Sequence, residues 1–270
     1  AMRGSLLALL LLAPPALAQD GLDRLTTRED LRGFEPVGRV DLAEGGFCTG
    51  ALIAPDLVLT AGHCVLRDDG TPVPAETITF RAGLAEGVAL AESAVLRTVV
   101  DPGFTARDPA PAAELELDVA LLELASPIPT GLISPFSVAL PGTGDEVSVV
   151  SYAAGRETAL SWQPLCHALD RQGALIVFDC DVDHGSSGAP VLDRSHYRAK
   201  IVSIISSGGV VQGRRVAIGM ELPSRVAALK AELRAGRATS IAAPGPERKA
   251  GKRILPGSGK DGTGARFVTP

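Results

Sequence analysis

Short apolar runs, many of them β-branched, recur along residues 34–220, and Gly, Pro or Asp residues separate them. The runs are "ALIAPDLVLTA", "ETITFRAG", "AVLRTVV", "DVALLEL", "EVSVVSY", "GALIVFDC", "KIVSIISS" and "RRVAIGM". Runs of this length and composition between turn signals are typical of β-strands. The pattern therefore predicts an all-β fold, either a barrel or a sandwich.

One segment near the end has a helical period instead. In "LPSRVAALKAELRAG", Val226, Leu229 and Leu233 fall on one face, a proline opens the segment and Gly236 closes it. This arrangement predicts a C-terminal amphipathic helix. The following residues 237–270 are rich in Gly, Pro, Lys and Arg, lack an apolar period and carry a net charge of +5. We predict a disordered basic tail there, either a solvated segment or a tether.

The beginning of the chain predicts export. "MRGSLLALLLLAPPALA" combines a basic start, an apolar run and an Ala-x-Ala ending at Ala18, which is typical of a secretory signal peptide. A membrane anchor is the alternative, but the run is short and Pro14-Pro15 interrupts it. We therefore expect a signal peptide in residues 1–18, an N-terminal segment in residues 19–33 and one domain in residues 34–236. The mature protein is expected to be secreted or periplasmic, with no transmembrane segment.

Charge and cysteine content narrow the functional classes. The net charge of −5 gives no support to nucleic-acid binding. The cysteines are Cys48, Cys64, Cys166 and Cys180. An even number in an exported chain favours two disulfides, with the connectivity left open. The competing interpretation is a metal site formed by Cys180 with Asp181, Asp183 and His184. Because thiols of exported proteins are usually paired, we expect no metal and no cofactor.

Three segments place polar side chains at the ends of apolar runs. His63 follows "VLTAG", Asp118 begins "DVALLEL", and Ser187 lies in "DHGSSGAPVL". Each alone has an ordinary explanation: a structural histidine, a strand-edge carboxylate or a Gly-rich loop. The glycines around Ser187, however, permit a tight turn that exposes a hydroxyl and directs backbone N–H groups at one point. A nucleophile, a base and oxyanion donors are what acyl transfer requires.

In this order the three segments resemble the trypsin/chymotrypsin family of serine peptidases. "FCTGALIAPDLVLTAGHCV" is similar to the family's histidine block, "LDVALLEL" to its aspartate block and "GSSGAP" to its Gly-Asp-Ser-Gly-Gly-Pro block. The resemblance spans roughly residues 34–236. It implies two six-stranded antiparallel β-barrels (chymotrypsin-like) with a C-terminal helix. It also implies the disulfides Cys48–Cys64 and Cys166–Cys180.

The resemblance also implies a role for each site residue. Ser187 is expected to be the nucleophile, His63 the general base and then acid, and Asp118 the group that orients the imidazolium. The backbone N–H groups of Gly185 and Ser187 are expected to form the oxyanion hole. The implied function is a secreted serine endopeptidase, acting as a monomer on protein or peptide substrates. The alternative is a catalytically silent relative that acts as a secreted binding protein. An esterase is disfavoured, because its serine elbow leads into a helix whereas "GSSGAP" leads into a strand.

One departure from the family pattern concerns activation. Ser186 stands where the animal digestive members have an aspartate that pairs with a newly cut N-terminal amine. In this the chain is more similar to bacterial secreted members, the glutamyl endopeptidase-like group. We therefore expect no activation through a buried N-terminus, because an ammonium without a carboxylate partner is disfavoured there.

The second departure concerns the substrate pocket. Only six residues separate Cys180 from Ser187, so the loop that carries specificity in the family is short. Asp181 or Asp183 is expected at the pocket base, favouring Arg or Lys at P1, unless these carboxylates are simply solvated. Ser203, Ile204 and Ile205 are expected along the pocket wall, which leaves a modest apolar P1 open. A glutamate preference needs a cationic or His-lined pocket, and no histidine falls on that strand.

Overall fold

The computed structural model of this protein describes residues 22–106, 111–141, 146–211 and 213–243. The predicted signal peptide and the part of the predicted tail from residue 244 onward lie outside the described residues. Within the described ranges, none of the helices has the length and apolar character needed to cross a membrane.

Strands dominate both halves of the chain. The first half contains β1 (Asp23–Leu25), β2 (Val37–Leu42), β3 (Phe47–Ala54), β4 (Leu57–Thr60), β5 (Ile78–Ala82), β6 (Ala91–Val100) and β7 (Ala120–Leu124). The second half contains β8 (Ser137–Val138), β9 (Glu146–Ala153), β10 (Arg156–Gln172), β11 (Leu175–Phe178), β12 (Pro190–Asp193), β13 (Lys200–Val211), β14 (Arg214–Met220) and β15 (Ser240–Ile241). The helices are α1 (Ala112–Leu115) and α2 (Pro223–Arg234), with 3₁₀ turns at Gly62–Cys64 and Ala75–Thr77.

The strands close into two six-stranded antiparallel barrels. In the first barrel, β2 pairs with β3, followed by β4, β7, β6 and β5, which pairs with β2 again. In the second barrel, β9 pairs with β10, followed by β11, β14, β13 and β12, which pairs with β9 again. Because each barrel strand pairs with two other strands, neither barrel contains an edge strand that is unpaired over its whole length. The predicted fold class is confirmed.

The hydrophobic core follows the alternation of the strands. In β5, for example, Ile78, Phe80 and Ala82 are buried while Thr79 and Arg81 are half-buried, because successive side chains point to opposite faces. Each barrel has its own apolar cluster. A third apolar cluster contains residues of both barrels and of the helix α2. The helix contributes Val226, Leu229 and Leu233 to this cluster, as its sequence period predicted.

Strand pairing continues past both ends of the range 34–236 that was predicted for the domain. The tail was predicted to begin at residue 237, yet Ser240 and Ile241 form β15 and pair with β6. Residues 19–33 were predicted to lie outside the domain, yet β1 pairs with β10 and Leu31 is fully buried. Both additions are held by backbone hydrogen bonds over two or three residues, a length too short to show an apolar period.

Candidate functional site

His63 lies in a 3₁₀ turn immediately after β4, at the rim of the first barrel. The next residue, Cys64, forms a disulfide with Cys48 at the start of β3, and this bond ties the turn to the barrel wall. A ring nitrogen of His63 lies within 4.8 Å of both sulfur atoms. Because both sulfurs are in the disulfide, no thiolate is available there to bind a metal ion.

The second predicted disulfide, Cys166–Cys180, is also present.

Asp118 lies in the turn before β7 and is only 1% exposed. Its Oδ1 accepts the backbone N–H of His63 at 2.8 Å, and its Oδ2 lies 2.8 Å from His63 Nδ1. The Ser206 hydroxyl donates to the same Oδ2 at 2.5 Å. A buried carboxylate is costly unless it is paired, and these three donors satisfy it. The arrangement favours the tautomer with the proton on Nδ1, which leaves the Nε2 lone pair free.

The electrostatics of the pair favour a basic imidazole. Burial of the His63 ring acts against its charged form, while the hydrogen bond and the negative charge of Asp118 favour it. The contribution of Asp118 is the larger in sum, so the pKa of His63 lies above its ordinary value. A histidine in this state is a stronger proton acceptor than a free one.

Ser187 lies in a tight turn in which two glycines cannot be replaced without strain. Gly185 and Gly188 have φ values of +95° and +77°, in the left-handed region that side chains disfavour. A Cβ atom on Gly188 would lie 2.2 Å from Thr60 Oγ1 and 2.3 Å from the carbonyl oxygen of Thr49. The turn is therefore packed directly against the first barrel, and Ser187 itself is half-buried.

The peptide groups of this turn are fixed in orientation. The carbonyl of His184 accepts the N–H of Ala154 at 2.7 Å, and the carbonyl before Ser187 accepts the N–H of Ala189 at 2.9 Å. Because a trans peptide is planar, each bond directs the N–H on the other side of that peptide, that of Gly185 or Ser187, the opposite way. Neither of these two N–H groups donates to an acceptor in the described part of the chain.

Ser186 is fully buried, and its hydrogen-bond partners lie in its own turn and on β9. Its hydroxyl lies 3.1 Å from the hydroxyl of Ser151 on β9 and accepts the N–H of Asp183 at 3.3 Å. Its own N–H donates to the carbonyl of Asp183 at 2.9 Å. The position therefore takes part in a small network of neutral hydrogen bonds rather than in an ion pair.

The turn and the histidine meet through β3. The N–H of Thr49 donates to the carbonyl of Ser187 at 2.9 Å. Thr49 follows Cys48, whose disulfide adjoins His63. The chain thus brings the serine turn of the second barrel beside the histidine turn of the first, although the two lie more than a hundred residues apart.

The three residues expected along the pocket wall are instead in the interior. Ser203, Ile204 and Ile205 are 0%, 0% and 1% exposed, and the Ser203 hydroxyl donates to the carbonyl of Met220 at 2.8 Å. None of these three side chains is accessible to line an open pocket. The register of β13 against β14 shifts just after Ile205, and the next residue, Ser206, is the one that reaches the site. Sequence reasoning missed Ser206, because its partner Asp118 lies 88 positions away and no local pattern marks that contact.

The two carboxylates expected at the pocket base have other partners. Asp181 lies 3.9 Å from the guanidinium of Arg215. Asp183 accepts the backbone N–H of His184 at 2.7 Å and lies 3.1 Å from its ring nitrogen Nδ1. The backbone N–H of His184 is the main reason why the pKa of Asp183 lies below its ordinary value. Neither side chain is buried, which matches solvated loop carboxylates better than the base of a pocket.

Comparison with known proteins identifies relatives of the fold and the family of the chain. The family model of the trypsin-like peptidase domain matches residues 48–199. A Glu endopeptidase solved in complex with MPD has a TM-score of 0.64 at 18% identity, over 82% of this chain and 98% of that chain. The thermostable serine protease AL20 from an extremophilic microorganism has a TM-score of 0.59 at 19% identity, over 73% and 95%. Protease Anisep from Arthrobacter nicotinovorans has a TM-score of 0.59 at 15% identity, over 72% and 93%. With more than half of its length matched by that family model, the chain belongs to the trypsin-like peptidase family.

Proposed function

We propose that this protein is a secreted serine endopeptidase that cleaves peptide bonds through an acyl-enzyme intermediate. Ser187 is the nucleophile, His63 is the general base and then the general acid, and Asp118 orients the imidazole and stabilises its charged form. Two disulfides, of a kind that persists in oxidising compartments, support the secreted location.

The reaction follows from these roles. Ser187 Oγ forms a bond to the substrate carbonyl carbon while its proton passes to His63 Nε2, and the carbonyl oxygen becomes an oxyanion. His63 then gives this proton to the leaving amine as the peptide C–N bond breaks, which leaves an ester on Ser187. Water attacks the ester carbonyl and gives a proton to His63. The proton returns to Ser187 Oγ as the acid product leaves.

The observation that carries the proposal is the set of three donors on the buried carboxylate of Asp118. The backbone and the ring of His63 both bond to one carboxylate, as those of His184 do to Asp183. The difference is burial, because Asp183 is exposed whereas the carboxylate of Asp118 is only 1% exposed. The Ser206 hydroxyl holds that carboxylate from the other side. This arrangement fixes the ring orientation and the tautomer that a general base requires.

Two further features support acyl transfer on a peptide. The undonated N–H groups of Gly185 and Ser187 are suited to bind an oxyanion, an interaction whose loss typically costs about 10²–10³ in kcat. Residues 207–209 of β13 pair with β14 on one side. On the other side β12 pairs with β13 as far as Ile204, and the backbone of residues 188 and 189 bonds to Ile205. Among the described residues no strand pairs with the other edge of residues 207–209, so a substrate main chain can add there as a further strand.

The test is hydrolysis of an unfolded protein and of a peptide library with blocked termini. We expect the wild type to cleave internal bonds and Ser187→Ala to be inactive while keeping the same melting temperature, because the hydroxyl supplies chemistry rather than packing. Ser195→Ala, in an exposed loop after β12, is the control and should keep full activity. Near-wild-type hydrolysis by Ser187→Ala would refute the assignment of the nucleophile.

The second candidate function is binding without turnover, as in a silent relative of the family. The filled positions 63, 118 and 187 argue against it, since a binding surface needs no buried carboxylate behind a histidine. A wild-type protein that binds unfolded protein but leaves it intact over long incubation would favour this alternative.

A further inference from the structure

Thr49 is fully buried in β3. Its N–H and its hydroxyl bond to the second barrel, and its carbonyl bonds to a side chain of the first barrel. Its N–H donates to the carbonyl of Ser187 at 2.9 Å, and its hydroxyl donates to the carbonyl of Gly185 at 2.9 Å. The same hydroxyl accepts the N–H of Tyr152 on β9 at 3.0 Å, with a longer contact of 3.4 Å to the carbonyl of that residue. Its own carbonyl accepts the Thr60 hydroxyl at 2.8 Å.

These bonds hold the carbonyls of the same two residues whose N–H groups are the proposed oxyanion donors. His63 and Asp118 come from the first barrel, whereas Ser187 and both donors come from the second. The position of the turn relative to His63 therefore depends on contacts that cross between the barrels. A hydroxyl that bonds to both the turn and β9 fixes this relation more firmly than apolar contact does, because hydrogen bonds are directional.

We infer that Thr49 is a positioning residue for the reaction, which sets the serine turn and its oxyanion donors at the working distance from His63 through its hydroxyl. The inference rests on the proposed peptidase function. It assigns to this side chain a role that neither the sequence motifs nor the resemblance to the family implied.

The chain offers a conservative variant and a matched control. Thr49→Ser keeps the hydroxyl and loses one methyl group, whereas Thr49→Val keeps the shape and leaves the carbonyl of Gly185 and the N–H of Tyr152 without a partner. Thr98 on β6 is also fully buried, but its hydroxyl has no partner among the described residues. Thr98→Val therefore makes the same chemical change at a site where no hydrogen bond is lost.

The experiment measures kcat and KM on one peptide and the rate of inactivation by a fluorophosphonate probe. In Thr49→Val we expect kcat and the inactivation rate to fall together by about 10- to 100-fold, since small misplacements of catalytic groups have effects of this size. KM should change by less than about threefold, because the site that binds the substrate strand is untouched. Thr49→Ser and Thr98→Val should both stay within about threefold of the wild type in all three quantities.

Each other outcome has a distinct meaning. A folded Thr49→Val with wild-type kcat overturns the role of Thr49 but leaves the peptidase intact. If Thr49→Val fails to fold, Thr49→Ala is measured in its place, and failure of both would show a role in folding alone and overturn the inference. A wild-type protein that neither cleaves peptides nor reacts with the probe refutes the proposed function itself.

Discussion

Gly188→Ala tests how closely the serine turn must pack against the first barrel. The added Cβ would lie 2.2 Å from Thr60 Oγ1, 2.3 Å from the carbonyl oxygen of Thr49 and 2.8 Å from the amide nitrogen of Ala61. Two of these three atoms belong to the backbone, so the contacts cannot be relieved by a side-chain rotation. The turn or the barrel wall must move instead.

The cost has two parts, and the chain allows them to be separated. A φ of +77° costs a residue with a Cβ about 1–2 kcal/mol, and overpacking of this kind costs about 1–3 kcal/mol. Gly33 has a similar φ of +87°, but a Cβ there would meet nothing within 4 Å. Gly33→Ala therefore measures the backbone contribution alone.

The assay is unfolding in urea together with thermal unfolding. We expect the free energy of unfolding to fall by about 1 kcal/mol in Gly33→Ala and by about 3 kcal/mol in Gly188→Ala. For a domain of this size the second value corresponds to a melting temperature lower by about 6–12 °C. Gly188→Ala should also lose peptidase activity, whereas Gly33→Ala should keep it. Equal losses of stability in the two variants would refute the packing argument.

Three more predictions concern the site and its support. The pKa of His63 is raised by Asp118 against the effect of burial, so kcat/KM should fall as pH drops through this pKa, because a protonated imidazole accepts no proton from serine. In Asp118→Asn this acid limb should move to lower pH, since burial alone favours the neutral ring; an unmoved limb in kcat/KM profiles would contradict the role of Asp118. Replacing Cys48 and Cys64 by Ala should lower the free energy of unfolding by about 3 kcal/mol for a loop of this length. It should also reduce kcat more than loss of the other disulfide does, because this one adjoins His63; equal losses of kcat would argue against that link. Because the Ser186 hydroxyl already has partners in the turn and on β9, moving the N-terminus by a few residues around the predicted signal cleavage site should leave kcat/KM unchanged. A strict requirement for one newly cut N-terminus would support a zymogen mechanism instead.

Local patterns were enough to predict much of the fold. The apolar runs of β5, β7, β9 and β14 are short, continuous and bounded by turn residues, and each became a barrel strand. The sequence did not reveal β10, the longest strand, because its 17 residues include a proline and several charges and its pairing contains bulges. A bulge interrupts the two-residue period on which strand prediction depends.

The limits at the site have a similar cause. His63, Asp118 and Ser187 were recognisable because each lies in a contiguous motif. Ser206 and Thr49 were not, because their importance comes from hydrogen bonds to residues 88 and 136 positions away. Such contacts depend on how the two barrels meet, and no local pattern in a single sequence encodes that arrangement.

The central claim is that Ser187 is an activated nucleophile. The most direct measurement is reaction of the folded protein with a fluorophosphonate probe, followed by peptide mass spectrometry to locate the label. The account predicts one label, on Ser187, which disappears in His63→Ala even though that variant keeps the serine. A folded protein that takes up no label, or that is labelled on another residue, would contradict the account.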